Sequence, residues 1–318
     1  MMFENSNTIY DCVILGAGPA GLSSALYCAR GNVNCAIIDT SCLGGAPMNY
    51  CDIENYLGFQ KLSGYELAQN FVRHVQNFDI PKFEYEEIEY ASLKDEIKKI
   101  KTYDREFLTH SVILATGAKP KKLGIKGEEE FLGRGVSYCA VCDGAFYKDK
   151  VVAVVGGGNS ALDEAIYLSQ FAKKVYIIHR RDALRADKIA QKRVFENKKI
   201  ELILNFVPTE IKGEKKVEEI ILKNVLDNSI SPLKIDGVFP YIGLEANSKL
   251  FQEEIETDKN GFILTDKYMK TNLKNVYAIG DVRNTPLRQV ITAVSDGAIA
   301  GVEVSKNISI LKEKVKVQ

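Results

Sequence analysis

The chain has 318 residues, 46% of them hydrophobic, with 42 basic and 42 acidic side chains and a formal net charge of zero. That is enough apolar material for about two cores of ordinary size, and the charge balance offers neither nucleic acid nor an anionic membrane a basic surface to recognise. No stretch approaches the ~20 apolar residues of a membrane-spanning helix, and no basic region leads into an apolar run at the N-terminus, so a cytoplasmic protein is expected.

The first predicted element is the strand Tyr10-Asp11-Cys12-Val13-Ile14-Leu15, which runs into Gly16-Ala17-Gly18-Pro19-Ala20-Gly21 and then an amphipathic helix over 22–30. Gly16 permits the tight turn, Gly18 lets main chain approach a pyrophosphate, and Gly21 lets the helix pack closely on the strand. A phosphate then sits at the helix N-terminus. A second apolar run, Cys35-Ala36-Ile37-Ile38, ends in Asp39, about 20 residues beyond the glycines, where a ribose-binding acid belongs. Together these features spell a dinucleotide site.

The seven cysteines form an odd set without repeated spacings, which argues against a disulfide-stapled secreted fold. Cys12, Cys28 and Cys35 read as buried small hydrophobes. Cys42 and Cys51 fall in the loop-rich stretch around Gly44-Gly45, where packing and auxiliary redox chemistry are the two alternatives. The Lys- and Glu-rich stretches 84–101 and 212–219 read as solvated faces and hairpins.

Cys139-Ala140-Val141-Cys142-Asp143-Gly144 is a Cys-x-x-Cys pair followed at once by an acid. Such a pair cycles between dithiol and disulfide, and Asp143 suits the transfer of a proton to or from a thiolate, or simply forms a turn with Gly144. The same spacing is half of a zinc site, but there is no second Cys-x-x-Cys, and His74, His110 and His179 are scattered singly, so no metal is expected.

A second dinucleotide signature follows. The strand Val151-Val152-Ala153-Val154-Val155 leads into Gly156-Gly157-Gly158-Asn159-Ser160-Ala161, a GxGxxA. Its next strand, Lys174-Val175-Tyr176-Ile177-Ile178, ends not in an acid but in His179-Arg180-Arg181-Asp182-Ala183-Leu184-Arg185. An acid there would select a free ribose hydroxyl, whereas Arg180, Arg181 and Arg185 would neutralise a 2′-phosphate. The expected cofactors are a tightly held flavin at the first signature and NADPH at the second.

Along nearly its whole length the chain resembles the low-molecular-weight, bacterial-type thioredoxin reductases. The resemblance is carried by GAGPAG at Gly16, the segment beginning Gly44-Gly45 and ending IENYLGF at Phe59, ATG at Ala115, CAVCDG at Cys139, GGGNSA at Gly156, HRRDALRA at His179, and AIGDVR with RQVITAVSDG from Ala278 to Gly297. It implies FAD contacts at Gly16, Gly18, Pro19, Ala20, Gly21, Asp39, Gly44, Gly45, Asn55, Ala115, Thr116, Gly117, Gly280, Asp281, Arg288 and Gln289, with Glu54 also near the ring. It implies NADPH contacts at Gly156, Gly158, Asn159, Ser160, His179, Arg180, Arg181 and Arg185. In the family Cys142 faces the flavin, Cys139 attacks the partner, and homodimers are usual. The chain departs from the pattern at Ala46-Pro47, where members usually carry a flavin-contacting glutamine after the two glycines.

The motif order implies an α/β protein with two Rossmann-like nucleotide-binding domains, the flavin domain discontinuous. Residues 1–117 and 248–318 are expected to form the FAD domain, and 118–247 the NADPH domain carrying the redox pair. A closing helix is expected to begin around Pro286 to Gln289 and to run through Ile299. A disulfide and a nicotinamide cannot stack on one isoalloxazine together, so a rotation about hinges at 117–122 and 243–247 is expected. The implied activity is an NADPH-dependent thioredoxin-disulfide reductase acting on thioredoxin or a thioredoxin-like protein. Its alternatives are reduction of another protein disulfide, a dithiol oxidase, a ferredoxin-fed reductase and a redox sensor. The oxidase and the ferredoxin-fed enzyme need no arginine cluster. The related alkyl hydroperoxide reductase flavoproteins carry an N-terminal module for which no room is expected before Gly16.

Overall fold

The computed structural model describes residues 8–50 and 53–316; Cys51 lies outside the described residues. The chain divides into two compact units, one made of residues 1–119 and 245–318, the other of 120–244.

The first unit is organised by β1 (Ile9–Leu15), α1 (Pro19–Arg30) and β2 (Cys35–Ile38). After the helix α2 (Gly64–Gln76) come β3 (Lys82–Phe83), β4 (Ile88–Ser92), β5 (Lys98–Thr102) and β6 (Glu106–Leu114). The sheet order is β3-β2-β1-β6-β5-β4, with the strand Val276–Ala278 also pairing β6. Cys12, Val13, Ile14 and Leu15 are fully buried because the centre of a parallel sheet is covered on both faces, which is why β1 reads as a continuous apolar run rather than an alternating one. Leu15 lies opposite both Ile38 and Leu114 in register. Three parallel strands therefore end at one level, and β1 sits where the chain turns to either side of the sheet, the place where open α/β sheets bind ligands.

The closing helix, Val290–Lys316, is much longer than the sequence pattern led us to expect. Its core stripe continues past Ile299 through Ala300, Val304 and Ile308, all buried. Gly297 and Gly301 bring it against α1: a Cβ on Gly297 would stand 2.3 Å from the Ala20 carbonyl oxygen, and one on Gly301 2.7 Å from the Tyr27 Cβ. Close packing of this long helix thus fixes α1 and the glycine turn before it. The charged stretch 84–101 is also not wholly solvated. Lys98 is 2% exposed, its ammonium bonded to the carbonyls of Asp95 at 2.6 Å and Glu96 at 3.4 Å, and buried Glu86 pairs with Arg105. Here backbone carbonyls and an arginine supply partners that composition does not reveal.

The second unit has a four-stranded parallel sheet in the order Ile200–Leu204, Lys174–His179, Val151–Val155, Gly237–Pro240. A three-stranded antiparallel sheet, Phe206–Lys212, Glu219–Asn224 and Ile230–Lys234, completes it. The stretch 212–219 is the hairpin connection of that sheet, as expected. Where the chain passes between the units, Ala118–Pro120 pairs with Leu244–Ala246.

Candidate active site

In the first unit four separated glycine motifs converge on the end of β1. Gly16 has φ +110°, and a Cβ there would stand 2.3 Å from the Ala115 carbonyl oxygen; one on Gly21 would stand 1.9 Å from the Gly16 carbonyl oxygen. Gly45, at φ +68°, brings its backbone so close to Gly18 that a Cβ would lie 2.6 Å from the Gly18 Cα. Gly280 approaches Ala20, and the Gly44 amide donates to the Ala17 carbonyl at 3.0 Å. The result is a cradle of main chain with few side chains, and α1 starts there with Gly18 at its N-cap, no side chain capping it and Pro19 in its first turn. Its first N–H groups are those a phosphate would take.

Asp39 is bound into this cradle: its Oδ2 accepts the Ala17 amide at 2.5 Å, and its Oδ1 accepts the Ser41 amide and hydroxyl at 2.8 and 2.9 Å. Each carboxylate oxygen has two lone pairs, so the same group still has acceptor capacity for a ribose hydroxyl. Thr116 and Gly117 are tied to Asn247, the Thr116 hydroxyl donating to its carbonyl at 2.7 Å and the Asn247 amide donating to Gly117 at 3.0 Å. Asn55 and Gln289, 234 positions apart in sequence, are joined by a side-chain bond of 2.9 Å. Arg288 lies over the Phe262 ring at 3.9 Å, and its Nε is buried without a hydrogen-bond partner. Burial raises the Asp281 carboxyl above its ordinary pKa, with Arg288 opposing and Asp296 adding to the shift. Asp296, inside the motif but not singled out from sequence, accepts from the Gly280 amide at 3.1 Å and from Arg283 at 3.2 Å, holding that turn. Ala46-Pro47 begin a short 3-10 helix, Ala46–Asn49, with Pro47 buried. A phosphate cradle, a ribose acid and an orphaned buried donor fit a flavin dinucleotide.

In the second unit the GxGxxA loop stands at the end of Val151–Val155 and opens the helix Asn159–Leu168, with Gly158 at its N-cap and Ser160 in its first turn. Space beside Gly158 is open, whereas a Cβ on Gly157 would stand 2.5 Å from the His179 ring. His179 is buried, and its Nε2 has no hydrogen-bond partner. Burial first, then Arg185 and Arg181, lower its pKa, keeping the imidazole neutral. The side chains of Arg180, Arg181 and Arg185 are exposed on the adjoining loop. That loop is anchored to the glycines: Arg185 and Ala186 amides donate to the Gly157 carbonyl, and the Asp187 amide donates to Asn159 Oδ1 at 2.7 Å. Phosphate-binding turn and guanidinium cluster are therefore one hydrogen-bonded assembly, which fits a phosphorylated dinucleotide.

Cys139 and Cys142 form a disulfide with Cα atoms 5.3 Å apart. Cys139 is the N-cap of the short helix Ala140–Asp143, and the Cys142 amide donates to its Sγ at 3.1 Å. Cys142 is exposed and Cys139 half-buried. The Cys139 amide donates to Ser137 Oγ at 3.1 Å, the Ser137 hydroxyl donates back to the Cys139 carbonyl at 3.2 Å, and the Asp143 amide donates to the same carbonyl at 3.2 Å. The Cys142 amide thus aims a hydrogen-bond donor at the sulfur of Cys139. Cys12, Cys28 and Cys35 are buried in the core of the first unit, and burial raises the Cys12 thiol pKa. Cys42 is a half-buried free thiol.

The model for the pyridine nucleotide-disulphide oxidoreductase family matches residues 10–297. The chain is 43% identical over 309 residues to a thioredoxin reductase of Bacillus subtilis, with 97% of this chain and 98% of that one covered. It is 42% identical over 311 residues to a thioredoxin reductase of Listeria innocua, covering 98% and 97% of the two chains. The crystal structure of Lactococcus lactis thioredoxin reductase matches with a TM-score of 0.91 at 42% identity, covering 93% of this chain and 98% of that one.

Proposed function

Because the chain belongs to the pyridine nucleotide-disulphide oxidoreductase family, and within it to the thioredoxin reductases, we propose that it carries electrons from NADPH through FAD and the Cys139–Cys142 disulfide to the disulfide of thioredoxin. The observation that carries this is the disulfide itself, closed at the start of a helix in the unit that also bears the arginine-flanked glycine loop. When bound, FAD accepts the hydride of NADPH and delivers two electrons to a disulfide.

In this scheme residues 1–117 and 248–318 serve FAD. Main chain at Gly16, Gly18, Gly44 and Gly45 takes the pyrophosphate side, Asp39 the ribose, Gly280 and Asp281 the ribityl chain, and Asn55, Arg288 and Gln289 the ring. Residues 118–247 serve NADPH, with Arg180, Arg181 and Arg185 on the 2′-phosphate and Gly156, Gly158, Asn159 and Ser160 on the pyrophosphate. Two electrons and two protons convert Cys139–Cys142 to thiols, with Asp143 relaying a proton. The Cys139 thiolate attacks the partner disulfide, one partner sulfur leaves, and a mixed disulfide forms. Cys142 then attacks the Cys139 sulfur, releasing the partner as a dithiol and restoring the original bond. The paired crossings 117–122 and 243–247 act as hinges that let disulfide and nicotinamide reach the flavin in turn. We further take the enzyme to be a cytoplasmic homodimer. Among the described residues no helix is long and apolar enough to cross a membrane.

The test is NADPH consumption by the purified flavoprotein with and without oxidised thioredoxin from the same cell, with NADH as control. Turnover that requires both thioredoxin and NADPH is expected. Flavin reduction without thioredoxin-dependent turnover would move the search to another protein disulfide.

A further inference from the structure

We propose that Glu128, acting through Tyr138, is a positioning residue that holds Cys139 for thiol–disulfide exchange, an inference that rests on the redox reading of the Cys139–Cys142 pair. Glu128 is only 2% exposed, yet both of its carboxylate oxygens are engaged. Oε1 accepts the Leu123 amide at 2.7 Å and the Tyr138 hydroxyl at 2.5 Å, and Oε2 accepts the Gly124 amide at 2.7 Å. Bonds to an ionised carboxylate at this length are among the stronger ones a protein makes, and a buried carboxylate deprived of them is costly. Burial and then the bond to Glu128 raise the Tyr138 pKa, so the phenol remains a donor throughout the physiological range.

Tyr138 immediately precedes Cys139 in the chain. On the other side of the same cysteine, Tyr241 contributes a second grip: its hydroxyl accepts the Ala140 amide at 3.2 Å and donates to the Tyr138 carbonyl at 3.5 Å. The peptide units on both flanks of Cys139 are thus held by side chains from outside the Cys-x-x-Cys motif. Closing the disulfide constrains the Cys139 sulfur directly; opening it removes that constraint. With its flanks gripped, the sulfur keeps its N-cap place under the Cys142 amide, where the thiolate is favoured. Without the grip, Cys139 reaches backbone conformations that lack this donor, and the attacking form is depleted.

Tyr138→Phe deletes one hydroxyl and keeps the ring. Wild type and variant are reduced with dithiothreitol, freed of reductant and alkylated with limiting iodoacetamide at neutral pH, and labelling of Cys139 and Cys142 is followed separately by mass spectrometry. Cys139 labelling is expected to slow about tenfold in the variant, the loss of one charge-assisted hydrogen bond. The kcat for oxidised thioredoxin should fall in step while its KM and the NADPH-driven reduction of bound flavin stay put. Tyr241→Phe should act in the same direction, and Glu128→Gln more severely. Should Glu128→Gln fail to fold, the two tyrosine variants carry the test. Wild-type Cys139 labelling in both tyrosine variants overturns the proposal, as does an equal loss of flavin reduction, the mark of general distortion. If wild type itself fails to turn over thioredoxin, the functional assignment falls, while the labelling comparison still decides the positioning of Cys139.

Discussion

The main-chain amide of Arg185 donates to the carbonyl of Gly157 at 2.7 Å, so the loop that displays the guanidinium groups is fastened to the glycine turn that opens the neighbouring helix. The charged tips are exposed while their backbone is fixed, an arrangement suited to binding a phosphate without ordering a free loop. Replacing Arg181 by alanine is expected to raise the KM for NADPH about 10- to 100-fold, the loss of a charge-assisted contact of ~1.5–3 kcal/mol. The KM for NADH should change about twofold or less, because NADH has no 2′-phosphate. Steady-state kinetics with both nucleotides measure this, and equal effects would remove the case for NADPH selection.

The two cysteines are expected to separate cleanly in their variants. Cys139→Ser should leave NADPH-driven flavin reduction intact and reduce thioredoxin turnover to background, because the attacking thiolate is gone. Cys142→Ser should instead trap thioredoxin as a mixed disulfide on Cys139, since the resolving thiol is missing. Non-reducing electrophoresis and mass spectrometry of the adduct read the outcome. An adduct that forms only in Cys139→Ser would reverse the assignment of the two sulfurs.

Both glycine signatures and the Cys-x-x-Cys pair were legible in the sequence because each is a local pattern: strand, turn and helix start lie within a few residues of one another. Asp39 was legible for the same reason, and its bond to the Ala17 amide spans only 22 positions. The family resemblance placed these motifs around one flavin, but the direct contacts among them could not be read. Nothing in the residues around Gly45 announces that its backbone meets Gly18, or that Asn55 bonds Gln289 across 234 positions. Glu128 stands in a run of three acids, which by composition alone would be solvated, and only the fold shows that it is buried and bonded to Tyr138. Lys98 is the same kind of case: a lysine in a charged run is solvated unless tertiary structure brings carbonyls to it. The closing helix extends past its expected end at Ile299 because Gly301 packs against α1 and Ala300, Val304 and Ile308 prolong the buried stripe, contacts that local pattern does not show.

Gly16 offers a test of the first unit. Its φ of +110° disfavours any L side chain, and a Cβ would also meet the Ala115 carbonyl oxygen at 2.3 Å, a main-chain atom that cannot swing aside. Backbone strain of ~1–3 kcal/mol and overpacking of ~1–3 kcal/mol add in the same direction. Gly16→Ala is therefore expected to purify with a fraction of the wild-type flavin content and a lowered melting temperature. Absorbance spectra and thermal unfolding check both. Full flavin occupancy with unchanged stability would refute the close approach of Gly16 to Ala115.

Glu164 gives a pH-dependent prediction for the second unit. It lies on the buried side of the helix Asn159–Leu168, with 5% of its surface exposed, and burial first, then Asp163, pushes its carboxyl up to about 7. A carboxyl whose folded pKa lies above its unfolded value binds more protons in the native state. Its favourable contribution is therefore complete below about pH 4.5 and is lost as pH rises through about 7. The difference corresponds to about 3 kcal/mol across that window. Glu164→Gln carries a permanently neutral group of similar shape, so its effect on stability should grow more favourable from acid to alkaline solution. Urea unfolding of wild type and variant at about pH 5 and pH 8, followed by circular dichroism, gives the comparison. At the higher pH the variant should have gained up to about 3 kcal/mol relative to its difference from wild type at the lower one. A difference independent of pH would mean that the Glu164 carboxylate is solvated or paired in the folded protein, and that its burial imposes no proton linkage.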